Sequence, residues 1–575
     1  MAETLVSPGV LARENDQSFI TQGPVTVGAA IVGPTVMGPV EVPTVVTSYT
    51  DYTATFGSDF RSGSANYSFL TSISAYNYFQ QGGESLLVTR VTSGSFTSAT
   101  STHISASSDG GNAPFTLETI NEGIIANSSG SEDSNGALDS GSRENVRWEI
   151  SNVNENAGTF TLLVRRGDDT TSEKVILETW NNLSLDPLSP QYIESAIGNT
   201  SFQVAKDGTD TFLRNTGEYT NRSRYIRVSS VNRATPNYFD NAGNAKPELT
   251  GSLPITSSGA FSNAVGDIIP TGSVIGAANY YDNINATNTQ GILASDYDDA
   301  LALLSNQDDY RYNVITAPGL INQHHTSTVT TLISNVESRG DAIAVIDLVE
   351  HGAETATATG QATSRDTSYA ASYWPWVQTV DPSTGKTVWV PASTMIPGVY
   401  AFTDSTSEAW FAPAGLNRGG LGTVVRAERK LPASTRDTLY DNNINPIATF
   451  PQQGVVVFGQ KTLQRKASAL DRVNVRRLLI ELKNFVSQVS DNLVFEQNSR
   501  QTRQAFLTQV NPYLSSVQSR QGLFSYRVIM DDSNNTADVI DRNELVGQIY
   551  LQPTRTAEFI LLDFNVQPTG ATFGA

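Results

Sequence analysis

The chain contains no cysteine in its 575 residues. Disulfides, thiolate metal sites and cysteine nucleophiles are therefore excluded together, and stability must come from packing and assembly. Histidine is nearly as scarce, with only His103, His324, His325 and His351 to serve as bases. A serine hydrolase needs a base beside its nucleophile, and no G-x-S-x-G elbow accompanies these four. No apolar run approaches the roughly 20 residues that cross a bilayer, and Met1 to Ile20 lacks a basic start followed by an apolar core. Neither a signal peptide nor stable membrane insertion is expected, and the chain reads as soluble and intracellular when made.

Charge is also sparse, at 16% of residues, while Ser, Thr, Asn and Gly are abundant, which suits strand-and-loop surfaces better than long solvated helices. The deficit is one of basic residues: 37 Lys and Arg stand against 57 Asp and Glu, a net charge of -20. Phosphate neutralisation needs a basic surface, so direct nucleic-acid contact is not expected. The balance is uneven, because residues 415–530 hold 16 basic against 7 acidic side chains. Basic and acidic surfaces of different copies, or of different proteins, can then face each other.

What the chain does have is β-branched runs cut by turn residues. Val25 to Phe56 reads as short strands punctuated by Gly33-Pro34, Gly38-Pro39 and Pro43, giving a small β-rich domain over 23–92. Ser93 to Asp240 is polar, but islands such as "NVRWEISNV" and "GTFTLLVRRG" alternate in strand fashion, which predicts a folded insertion. After Gly291 the pattern becomes α/β: Ser295 and Asp298 form a capping-box pair, and strands "YNVITAPG" and "DAIAVIDLV" flank a helix through "TVTTLISNVESRG". Ala358 to Gly422 reads as mostly loop and turn with aromatic anchors. Val475, Leu478, Leu479, Leu482, Phe485, Val486 and Val489 fall at helical spacing, with Arg472, Arg476 and Lys483 on another side. A second helix carries Arg500 and Arg503 and is expected to end or kink at Asn511-Pro512.

Candidate chemistry is thin. His351, after Asp347 and Glu350 at the C-terminal end of a strand, is the best enzymatic candidate against a surface histidine. His324 and His325 are adjacent, so their side chains diverge by about 100° on a helix, and no third ligand is spaced to join them. "DDSNNTADVIDRNE" lacks the glycine of a calcium loop, and "GLNRGGLG" lacks the strand and helix of a phosphate cradle. No cofactor or metal is expected.

Several separated segments, in order, resemble the tail sheath proteins of contractile-tailed bacteriophages and the sheaths of related injection machines. They are "SPGVLARE", "SDYDDALALL" with "YNVITAPG", "VPASTMIPGVYAFTD" with "AWFAPAG", "INPIATFPQQGVVVFGQKTL" and "VNVRRLLIEL". The resemblance implies a multidomain mixture of α+β and α/β parts. An N-terminal arm (1–22) precedes the small β-rich domain (23–92), a variable outer insertion (93–240) and a connecting segment (241–290). An α/β part similar to subtilisin but without its catalytic residues (291–435), a C-terminal sheath domain (436–552) and a C-terminal strand arm (553–575) complete it. It also implies a virion component assembled in the host cytoplasm, without enzymatic activity. Copies would stack as six-fold rings around an inner tail tube, between baseplate and tail terminator, and contract to drive the tube into a cell. The alternatives from the residues are a surface-layer or adhesive β protein, which should show a secretion signal, and a hydrolase-like enzyme, which should depend on His351.

"TAEFILLDFNV" (Thr556 to Val566) reads as a strand with little chain left to pair with. It is either the last strand of a local sheet or, as the resemblance implies, an arm that adds a strand to a neighbouring copy through Phe559, Ile560, Leu561, Leu562 and Phe564, with Val10 and Leu11 in the N-terminal arm. About eight backbone bonds and four apolar side chains approach roughly 16 kcal/mol gross, against about 10–20 kcal/mol to order ten residues. One arm is nearly neutral, and repetition along a lattice makes the links effective. Arg472, Arg476, Lys483, Arg500 and Arg503 are candidates for holding an acidic tube.

Overall fold

A computed structural model of the chain describes residues 26–62, 65–102, 104–106, 113–127, 131–208, 210–267, 284–286 and 288–559. Its centre is an eight-stranded sheet in the order Thr44–Val46, Leu86–Arg90, Thr26–Gly33, Arg311–Ile321, Ile343–Asp347, Ala370–Trp374, Asn445–Phe450, Gly454–Val457. The six inner strands run parallel, and the two edge strands pair antiparallel. Alternate residues of one strand serve two cores. Ala29 and Ile31 pack with Tyr52, Phe56, Ile73 and Val399 on one face, whereas Ala30 and Val32 pack with Leu301, Val329, Leu332 and Val336 on the other. A sheet covered by helices on both faces explains the nearly unbroken apolar runs.

This topology corrects the expected domains. The segment 23–92 is not a separate small domain, because Thr26–Gly33 pairs with Arg311–Ile321 and supplies an inner strand of the central sheet. Two helices, Tyr49–Phe56 and Leu70–Gln80, lie where strands and turns were expected. Ser48 caps the first by accepting from Asp51 N at 3.1 Å, while Asp51 accepts from Thr47 N at 3.2 Å. The 435/436 boundary also moves, since Asn445–Phe450 and Gly454–Val457 complete the same sheet.

Ala358–Gly422 is more regular than a loop. It holds strands Ala370–Trp374, Val377–Val380 and Thr387–Val390 and helix Ile396–Thr406, with Trp374, Trp376, Ile396 and Val399 buried. Near Leu293 the cap is one-sided and uses Asp296, which accepts from Leu293 N at 3.0 Å, rather than the Ser295/Asp298 pair.

The polar stretch after Ser93 is folded, as its alternating islands predict. Seven antiparallel strands build a second sheet around Phe115, Trp148, Phe160, Leu162 and Ile226. Strand Ser257–Ser262 pairs between Val146–Asn154 and Ser98–Ser101, so the insertion extends past Asp240 into what was expected to be a connector. Arg147 and Arg165 are buried in it with Asp169, which accepts from Arg165 Nε and Nη2 at 2.7 Å each and lies 3.5 Å from Arg147 Nη1.

Helices Val473–Asp491 and Arg500–Ser519 and the hairpin Leu523–Ile529/Gln548–Pro553 form a third layer around Leu478, Leu482, Phe506, Val510 and Leu514. Val473 and Ile480 of the same long helix belong instead to the core of the central sheet, so this layer is joined to the body by a shared helix. The second helix does not end at Asn511-Pro512; it runs to Ser519 with Pro512 inside. Its buried stripe Phe506, Val510, Leu514, Val517 continues on both sides of the proline, and that packing offsets the missing backbone bond. No helix among the described residues is long and apolar enough to cross a membrane.

Candidate functional site: the root of the C-terminal segment

Strand Gln548–Pro553 ends where Thr554 N donates to Gly522 O at 3.2 Å, the last backbone hydrogen bond of the described C-terminal residues. Thr556 to Phe559 then crosses the body surface without pairing to any strand of its own chain, and the rest of the expected strand lies outside the described residues. Glu558 turns its side chain inward.

Three places in the fold converge on that carboxylate. Arg472, the residue before the long helix, donates Nε–H to Glu558 Oε1 at 2.8 Å. Gln460, after the last edge strand, donates Nε2–H to the same oxygen at 3.0 Å and to Thr556 Oγ1 at 2.6 Å. Tyr440, from helix Ala433–Asp441, donates its hydroxyl to Glu558 Oε2 at 2.9 Å. Lys461 Nζ sits 4.4 Å from the Tyr440 ring centre and donates to Tyr440 O at 2.7 Å. Burial pushes the Glu558 carboxyl up, but the bonds from Arg472, Gln460 and Tyr440 outweigh it and leave the group below its ordinary value. Burial, reinforced by Arg472, lowers Lys461.

Crevices of about 450 and 330 Å³ flank the segment, one against Ser468–Val475 and the other against Tyr440, Pro446 and Phe458. Phe559, at their junction, is 84% exposed. Ile560, Leu561, Leu562, Phe564, Val10 and Leu11 lie outside the described residues. Sequence reasoning missed Glu558, Gln460 and Tyr440; of this cluster only Arg472 was singled out.

The basic candidates separate. Arg476 is buried, its guanidinium 4.0 Å from the Tyr369 ring centre and bonded to Ser368. Arg503 is buried and reaches Asp532 at 2.9 Å, and Arg472 is occupied by Glu558 and by Asp471 at 3.1 Å. Arg476, under Tyr369, is thus an internal brace rather than a surface charge, whereas Arg503 is buried but pairs with the exposed Asp532. Lys483, 3.1 Å from Tyr369 Oη, and Arg500 are exposed. Neighbouring Arg477, not singled out from the sequence, is buried over Tyr400 and bonded to Asp404 at 2.5 Å.

The enzymatic candidates do not assemble. Asp347 is buried and accepts from Ser393 N at 3.1 Å and Ser393 Oγ at 2.5 Å, with no histidine between them. The serine donates directly to the carboxylate, so these two groups do not form a Ser–His–Asp relay. Burial pushes Asp347 up to about 7 against those two bonds. His351 lies between Trp376 and Trp389, with ring-centre distances of 5.7 and 5.1 Å. His324 faces Glu350 at 3.0 Å. His325 accepts from Ile321 N at Nδ1, which leaves Nε2–H to donate to Asn285 O at 3.0 Å and makes it a neutral fold histidine. His103 lies outside the described residues. Among the described residues no group of three or more His, Asp or Glu is placed to hold a metal. The glycine-rich 415–422 stretch lies along the edge strand: Val457 N donates to Gly419 O at 2.8 Å, and a Cβ on Gly419 would meet Val457 O at 2.6 Å.

Two domain models match parts of the chain. Residues 290–463 match the phage tail sheath protein central domain and residues 465–567 the phage tail sheath C-terminal domain. The two matched regions belong to the phage tail sheath family. It is 40% identical over 207 residues to the tail sheath protein of Vibrio phage KVP40, covering 36% of this chain and 31% of that one. It is 40% identical over 185 residues to that of Enterobacteria phage T4, covering 32% and 28%. The match thus spans about a third of the length of these curated sheath relatives. A crystal structure of a sheath tail protein from Listeria innocua superposes over 92% of this chain and 96% of its own, with a TM-score of 0.52 at 10% identity, which shows a shared fold. The Glu558 cluster brings a residue of the sheath C-terminal domain onto Tyr440 and Gln460 of the central one.

Proposed function

We propose that this chain is the structural subunit of a contractile tail sheath, polymerising as stacked six-fold rings around an inner tail tube and shortening to drive the tube through a target envelope. The supporting observation is the hairpin Leu523–Ile529/Gln548–Pro553, a two-stranded sheet whose outer edges have no strand partner among the described residues. Beside it residues 555–559 pair with no strand of their own chain. Open edges accept added strands, so the reading has the arms of neighbouring copies complete this sheet, with the baseplate and tail terminator at the ends of the stack. The subunit is a virion component assembled in the host cytoplasm, with no cofactor, no direct nucleic-acid contact and no membrane insertion.

The α/β body keeps a subtilisin-like layout emptied of its catalytic groups, a reading that the direct Asp347–Ser393 contact supports. Of the basic candidates, Lys483 and Arg500 are left to face the tube. Negative-stain microscopy of the purified chain, alone and with tube protein, tests the proposal: hollow striated tubes are expected, and a protein that stays monomeric in both conditions contradicts it.

A further inference from the structure

We propose that Glu558 is a positioning residue that ties the outgoing C-terminal segment to the α/β body, so that the arm travels with the body and not with the hairpin it has just left. This rests on the reading of the segment as an arm.

The hairpin sits on the helical layer with Leu514 and Leu523, whereas Tyr440 and Gln460 lie beside the central sheet. After Thr554 the described backbone makes no further hydrogen bond, and Arg555, Ala557 and Phe559 are exposed. Two side chains hold this stretch: Thr556 on Gln460, and Glu558 on Arg472, Gln460 and Tyr440. The Glu558 contacts include a charge-assisted bond, stronger than a neutral one. The strap therefore crosses from one layer to the other and is pinned at its far end. A tether anchored there transmits the rotation of the body to the neighbour and leaves the hairpin free to receive the neighbour's strand. The crevices on either side give the segment room to swing about the pin once the carboxylate is released.

The absence of cysteine makes the test simple, because Phe559→Cys gives a unique attachment point for a fluorophore or spin label. In the unassembled full chain the label should be restrained. Adding Glu558→Ala or Arg472→Ala should speed its local rotation about tenfold, and the charge swap Glu558→Arg with Arg472→Glu should slow it again. Glu558→Gln, on an exposed segment, guards against loss of the body's fold, which circular dichroism checks. Equal label mobility in all variants overturns the pin. Failure of the unsubstituted chain to form tubes would count against the sheath reading instead, and leaves the mobility result to decide the pin.

Discussion

Glu558 accepts the Nε–H of Arg472 at 2.8 Å across 86 positions of sequence, and that contact closes the C-terminal segment onto the body. It also sets an acid limit. A depressed folded value means that the native state binds fewer protons than the unfolded one near that pH, so the contribution is complete above the ordinary carboxylate value near 4 and is lost as pH falls through the lower folded value. Arg472, Lys461, Tyr440 and Asp471 surround the group. A label at Phe559→Cys should keep constant anisotropy from pH 8 to 5 and loosen below about pH 4; loosening already near pH 6 would contradict this.

Asp347 acts in the opposite sense. Its folded value is raised to about 7 by burial, so the native state retains a proton that the unfolded state has released. Its contribution is present below the ordinary aspartate value and is lost as pH rises through about 7. Asp347→Asn should flatten the pH dependence of thermal unfolding between pH 5 and 8 and raise stability at pH 8 by about 1–4 kcal/mol. An unchanged slope would show that the carboxyl is ionised throughout.

Arg476, buried, and Arg500, exposed, set a structural charge against a proposed interface charge. Arg476→Gln should lower the stability of the isolated chain by about 1–3 kcal/mol in urea unfolding, because it removes a buried cation–π contact and a hydrogen bond. Arg500→Glu should shift unfolding by under about 0.5 kcal/mol and weaken assembly on the tube, most clearly at low salt.

In the insertion, Asp169→Ala leaves Arg147 and Arg165 buried with reduced compensation. Glu149, mostly buried, and Glu132, at the rim, still reach one arginine each. The expected loss is about 3–5 kcal/mol, seen as early unfolding of the second sheet. Hydrogen exchange over Val146–Arg166 reads this directly.

Gly419→Ala tests the zipped glycine stretch. The new Cβ would meet the Val457 carbonyl at 2.6 Å, so the strip must lift from the edge strand. A loss of about 1–3 kcal/mol is expected in chemical denaturation, and a neutral substitution would contradict the close approach.

Periodicity carried the elements that bury one stripe or two faces. The Val473–Asp491 helix was visible in its Leu and Val spacing, and the Ile343–Asp347 strand in its apolar run. The run over Ala29–Val32 was equally visible, but its partner strand begins at Arg311, and no local pattern reveals so distant a pairing. Arg476 read as a surface charge because its aromatic cover, Tyr369, comes from another element. The pin was hidden for the same reason: a single Glu in an apolar run carries no sign that Tyr440, Gln460 and Arg472 converge on it. Pro512 misled in the other direction, since tertiary burial of Val510 and Leu514 overrode its local preference to end a helix.

Electron microscopy of three preparations bears most directly on the sheath account: the full chain, the chain lacking residues 1–25, and the chain ending at Phe559. Long striated cylinders are predicted for the first, with short or no polymers for both truncations. Cylinders of equal length and regularity in all three would contradict an assembly held together by exchanged arms.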